Sequence, residues 1–151
     1  MITDARALKP AFVPRDIAHR DGPIDHLAAT LDPLTAENVT IFGPSGTGKT
    51  TLAKYVLGRL ERDRLEYRWG YHNCMSESST AGALHSLVRD AGLGRDLRRT
   101  GTPTGTYIDR ISEREEPMAL VLDEIDMLDD PTLLVTLAGL RDVSLVTICV
   151  D

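Results

Sequence analysis

The sequence predicts an α/β fold built on a parallel sheet, and three observations predict it. Residues 39–42, 118–122 and 143–150 are apolar, often β-branched runs, and they alternate with segments whose apolar positions recur at helical spacing. The runs are apolar on successive residues rather than on every second one, the pattern of strands covered on both faces. A Gly-rich segment carries the first run directly into a helical one, as in a crossover unit.

Residues 1–23 hold Pro10, Pro14, Gly22 and Pro23 among charges and read as an extended arm along the surface of a core that occupies 24–151. Ile24, Leu27, Ala28 and Leu31 fall at helical spacing, and Asp32 with Pro33 stops that helix. The strand at 39–42 ends at Gly43, and Leu52, Val56 and Leu60 repeat every fourth residue through a helix at 50–60. A second strand is expected at 65–74 and a helix at 80–91, stopped by Gly92 and Gly94. Segment 95–106 is polar, with Gly101, Pro103 and Gly105, and reads as a loop; Tyr107, Ile108 and Ile111 give a helical turn or two before Pro117. A strand at 118–122, a helix at 131–140 and a strand at 143–150 follow. A run as apolar as 143–150 belongs in the middle of a parallel sheet, so the expectation is a piece of a longer chain or a strand completed by something else.

Composition limits the function. With 151 residues, 42% hydrophobic and 26% charged, the chain suits one globular domain and excludes disordered, collagen-like or disulfide-rich classes. A net charge of −6 excludes a polybasic coat, so any DNA contact must be local. The cations are 14 Arg and 3 Lys, and 15 of the 23 acids are Asp, a balance that suits a halophilic surface or a GC-rich genome. Cys74 and Cys149 are too few for a disulfide framework and read as buried free thiols, which together with the lack of a signal peptide or membrane-length apolar stretch predicts a cytoplasmic protein.

Two segments carry chemistry. Gly43, Pro44, Ser45, Gly46, Thr47, Gly48, Lys49 and Thr50 match G-x-x-x-x-G-K-[ST] in full. Glycines let the backbone turn its N–H groups inward onto phosphate oxygens, and the helix that follows adds its positive N-terminal end. Lys49 is placed to reach the β- and γ-phosphates, Thr50 to bind Mg²⁺ through its hydroxyl, and Thr51 to hold the α-phosphate. The second segment is the strand MALVL followed by Asp123 and Glu124. Asp123 falls at the carboxyl edge of the sheet, where such folds bind ligands, and can hold Mg²⁺ through water. Glu124 beside it can polarise a water for in-line attack on a γ-phosphate, a role that a small-molecule kinase does not need. Asp126, Asp129 and Asp130 read as solvated or capping residues.

GPSGTGKT together with LVLDEID resembles the AAA+ ATPases, a three-layer P-loop NTPase architecture. FVPRDIAHRDGPIDHLAATL, YHNC and TGTPTGTYIDRI are similar to the archaeal origin-recognition and cell-division-control initiators, so the resemblance spans residues 11–150. It implies ATP or ADP with Mg²⁺ as cofactors, Glu124 as the catalytic residue, and Val13, Pro14 and Arg20 of the arm beside the adenine. It implies that Arg98, Arg99, Gly101, Pro103 and Gly105 belong to an insertion touching duplex DNA, the arginines on phosphates and the rest allowing close backbone approach. Origin DNA, and a replicative helicase or like subunits, are the implied partners. In two respects the sequence departs from the family. The polar residue, often Asn, that positions the attacking water at the tip of the fourth strand aligns with Val150, with Asp151 next. The sheet is truncated at that fourth strand, without the fifth strand, the subunit-bridging arginine, the helical lid or the winged helix.

The alternatives are a non-hydrolysing module in which bound nucleotide sets a conformation, and an AAA+ ATPase of a transposition or signalling system. His19, His26, His72 and His85 lack metal-ligand spacing, and His72 reads as the end of a strand. Leu84, Leu87 and Val88 read as core, and Ser76, Ser78 and Ser79 as a polar strand-to-helix loop.

Overall fold

The apolar run MALVLD forms strand β3, Met118–Asp123, buried at every position, and its two faces organise the molecule. The computed structural model describes residues 21–32, 37–44, 46 and 48–150. Within them the chain runs α1 (Asp21–Thr30), β1 (Val39–Gly43), α2 (Lys49–Asp63), β2 (Arg68–Asn73), α3 (Thr80–Asp90), α4 (Thr104–Glu113), β3, a 3₁₀ turn (Ile125–Met127), α5 (Thr132–Ala138) and β4 (Val143–Val150). The strands form one sheet in the order β1-β4-β3-β2, and every neighbouring pair is parallel.

Successive side chains of a strand point to opposite faces, so β3 feeds two cores. Ala119 and Val121 pack with Val146 and Ile148 of β4 against Leu27 and Leu31 of the first helical segment and Leu52, Val56 and Leu57 of α2. Leu120 and Leu122 pack with Leu145 against Leu84 and Leu87 of α3, Tyr107 and Ile111 of α4, and Leu133 and Leu137 of α5. Helices on both faces of a parallel sheet make three layers, as expected. The loops leaving β1 and β3 therefore go to opposite faces, and they open a crevice at the carboxyl ends of the strands.

Several boundaries differ from the expectation. Helix α1 covers Asp21–Thr30, so residues 21–23 of the expected arm are helical. Strand β2 starts at Arg68 rather than 65 because its partner begins at Met118, directly across; Leu65 is fully exposed. Helix α4 begins at Thr104, so the expected loop ends three residues early, drawn into helix by the burial of Tyr107 and Ile111. Helix α2 extends to Asp63, and α5 is shorter than expected. Among the described residues no helix is long and apolar enough to cross a membrane.

Candidate functional site

The mouth of the crevice is formed where β1 turns into α2. Gly46 and Gly48 hold φ of +81° and +85°, a left-handed backbone that glycine adopts without strain. Gly48 is the N-cap of α2, so no side chain caps that helix, and its first turn carries no acidic residue. Helix α3 differs: there Ser79 accepts a hydrogen bond from the N–H of Gly82 at 3.0 Å. Among the described residues no side chain caps the first N–H groups of α2, unlike those of α3, and they suit an anion. Lys49 is buried, and its ammonium donates to the carbonyls of Gly43 and Pro44 at 2.7 Å each while lining the crevice.

Opposite the cradle stands Asp123, buried at the end of β3. Its Oδ2 accepts from the Thr50 hydroxyl at 2.5 Å and from the Tyr71 phenol at 2.6 Å, and its Oδ1 accepts the Glu124 N–H at 2.8 Å. Burial first, and then the hydrogen bond to Asp123, hold the Tyr71 proton well above the ordinary phenol range. Burial, followed by the charges of Asp123 and Glu124, pushes the Cys74 thiol up to about 11. Glu124 has a left-handed backbone at φ 51° and ψ 51°, a conformation that costs a non-glycine residue about 1–3 kcal/mol and that clusters at functional sites. It is half-buried and lines the crevice, whose volume is about 510 Å³.

The donor set fits Mg²⁺. A hydroxyl and a carboxylate in contact offer hard oxygens to a cation that keeps several waters and takes the rest of its shell from substrate phosphates. Among the described residues no group of three or more His, Cys, Asp or Glu could form an all-protein metal cage.

Residues 34–150 match the family described as AAA domain. The chain belongs to that family. It is 34% identical over 156 residues to the ORC1-type DNA replication protein 1 of Halobacterium salinarum, covering all of this chain and 51% of that protein. The chain thus spans about half the length of that relative. It superposes on the Aeropyrum pernix ORC1 protein, solved in complex with DNA, with a TM-score of 0.67 and 28% identity over 88% of this chain and 39% of that one. The Aeropyrum pernix ORC2 protein, solved as ADPNP-ADP complexes, has the same fold at a TM-score of 0.74 and 22% identity over 99% of this chain and 45% of that one. Within the AAA family this is a core of the archaeal origin-recognition and cell-division-control type.

The structure of this AAA core brings together Gly46, Gly48, Lys49, Thr50, Thr51, Asp123 and Glu124 around the crevice. Gly43 ends β1, and Pro44 holds the Lys49 ammonium. Ser45, Thr47, the adenine-side candidates Val13, Pro14 and Arg20, and Asp151 lie outside the described residues. Val150 forms the tip of β4 opposite Gly43, 45% exposed and lining the crevice. Arg98, Arg99, Gly101 and Pro103 are exposed in the segment between α3 and α4, whereas Gly105 is part of α4 rather than of a loop. Cys74 is buried, but Cys149 is only half-buried and lines the crevice, a correction to the expectation of two buried thiols. His72 binds the Glu77 carbonyl and His85 the Tyr107 hydroxyl.

Sequence reasoning missed Tyr71 and Asn73, which also line the crevice. The available signal was their spacing: polar groups at alternate positions near a strand's carboxyl end share a face, the face that Asp123 uses one strand away.

Proposed function

We propose that this chain is the nucleotide-binding core of a DNA replication initiator, and that it binds ATP or ADP together with Mg²⁺. The observation that carries the reading is the juxtaposition of an uncapped helix start, a buried lysine and a hydroxyl–carboxylate pair on one crevice. Backbone N–H groups at Gly46 and Gly48 would wrap the phosphates, and Lys49 would exchange a loop carbonyl for a phosphate oxygen. Thr50 and Asp123 would hold the cation, which supplies charge neutralisation at the β- and γ-phosphates when bound. Glu124, the other carboxylate on the crevice among the described residues, would take a proton from an attacking water.

The nucleotide complexes of the Aeropyrum ORC2 protein and the DNA complex of the ORC1 protein support nucleotide and duplex DNA as ligands of the whole protein. Its protein partners would be a replicative helicase or like subunits. Melting curves test the nucleotide reading, because a ligand that binds only the folded state stabilises it by mass action. Millimolar Mg-ADP should raise Tm, and Lys49→Ala should remove most of the rise. A wild-type curve that does not move would end the reading.

A further inference from the structure

Tyr71 is held from three sides. Its backbone N–H, on the outer edge of β2, donates to Asp90 of α3 at 2.8 Å. Its ring lies under the Lys54 ammonium of α2, 4.1 Å from the ring centroid. Its hydroxyl donates to Asp123 at 2.6 Å. The direction of that last bond is fixed, since an ionised carboxylate only accepts.

Asn73 follows two residues on, lines the crevice beside Tyr71, and accepts the Met75 N–H on its Oδ1 at 2.8 Å.

We propose that Tyr71 is the positioning residue that sets the Asp123 carboxylate for Mg²⁺; the proposal rests on the nucleotide reading above. Asp123 Oδ2 has two acceptor sites, occupied by Thr50 and Tyr71, and Oδ1 is held by the Glu124 N–H. If the Thr50 hydroxyl turns to the metal, Tyr71 and the Glu124 N–H still hold one site on each oxygen, and the plane of the carboxylate stays fixed. Without the phenol, and with Thr50 turned to the metal, only the Glu124 N–H restrains rotation of the carboxylate about its last bond, and binding the metal must then order it. A tyrosine two residues before the end of a neighbouring strand can do this because Tyr71 and Asn73 stand across from Val121 and Asp123 on the same face.

The test uses the full chain, fluorescent ADP and a MgCl₂ titration. Tyr71→Phe keeps the ring and removes one hydroxyl. Hydrogen-bond partners of metal-binding groups are worth about 10–100-fold in metal affinity, so the Mg²⁺ midpoint should rise about 10-fold while affinity in EDTA stays within about 2-fold. A merely structural tyrosine would weaken both equally or neither, and either result overturns the proposal. Tyr71→Leu, which removes the hydroxyl together with the ring, should raise the same midpoint; should Tyr71→Phe fail to fold, an unmoved midpoint in Tyr71→Leu is decisive against the proposal. Wild-type protein that binds no ADP would overturn the nucleotide reading as well, whereas wild-type binding with an unchanged Tyr71→Phe midpoint overturns this proposal alone.

Discussion

The Arg99 guanidinium is paired with the Glu77 carboxylate, which ties the segment expected to meet DNA to the loop leaving the crevice end of β2. Glu77 is itself anchored: its Oε1 accepts from the Ser79 hydroxyl at 3.0 Å, and its carbonyl meets His72 Nε2 at 2.7 Å. Arg99 is 60% exposed at the side chain, and pairs of that kind contribute about 0–1 kcal/mol. A phosphate can therefore replace Glu77 at little cost.

That relationship sets an expectation for DNA. Binding of duplex by this chain alone should be weak and fall steeply with salt, given a net charge of −6 and one short basic segment. Glu77→Gln should release Arg99 and tighten binding, and Arg98→Ala with Arg99→Ala should weaken it and flatten the salt dependence. Fluorescence anisotropy at several KCl concentrations reads all three. A tight, salt-insensitive complex would put the DNA surface elsewhere.

Gly70 and Gly105 give opposite predictions for one substitution. A Cβ at Gly70 would stand 2.6 Å from the Leu87 carbonyl, so Gly70→Ala forces α3 away from β2, and about 1–3 kcal/mol of stability should be lost. Nothing lies within 4 Å of a Cβ at Gly105, inside α4, and there alanine should add about 0.5–1 kcal/mol through helix propensity. Urea denaturation of the two variants reads both signs. Equal effects would mean that the contact of α3 with β2 is looser than described.

The contrast between these glycines shows where sequence was enough and where it was not. The phosphate loop is legible because its chemistry fixes residue types at set spacings within one local turn, and Asp123 and Glu124 because they end an apolar run. Tyr71 is not, because its hydroxyl reaches Asp123 only through the register of two strands 50 residues apart in the chain. Gly105 reads as loop in a polar segment of glycine, threonine and proline, yet burial of Tyr107 and Ile111 outweighs that local propensity. The start of β2 depends on where β3 begins, which local composition does not encode.

Salt tests the surface. With only 3 Lys and a net charge of −6, acidic self-repulsion should be relieved by molar KCl, raising Tm by more than sucrose does at equal osmolality. Exposed pairs such as Arg110 with Asp96 weaken under the same screening, but each contributes little. Relief of the net charge should therefore win. Equal Tm in low and molar KCl would rule out a halophilic surface.

Hydrolysis should be slow even where the nucleotide binds. The γ-phosphoryl transition state needs charge stabilisation beyond Lys49 and a cation, and an arginine that supplies it is worth about 10³–10⁵ in rate. Among the described residues lining the crevice there is no arginine. Nor does the β4 tip help to align a water: Val150 stands opposite Gly43 with no group that can accept or donate a hydrogen bond from its side chain. Glu124 is left to orient and deprotonate the water from a strained backbone position. Purified chain with Mg-ATP should thus release phosphate barely above background, and Glu124→Gln should change that rate little while leaving nucleotide affinity intact. Many turnovers per minute in the wild type, lost in Glu124→Gln, would mean instead that the crevice already holds a complete active site and that Val150 is no obstacle to it.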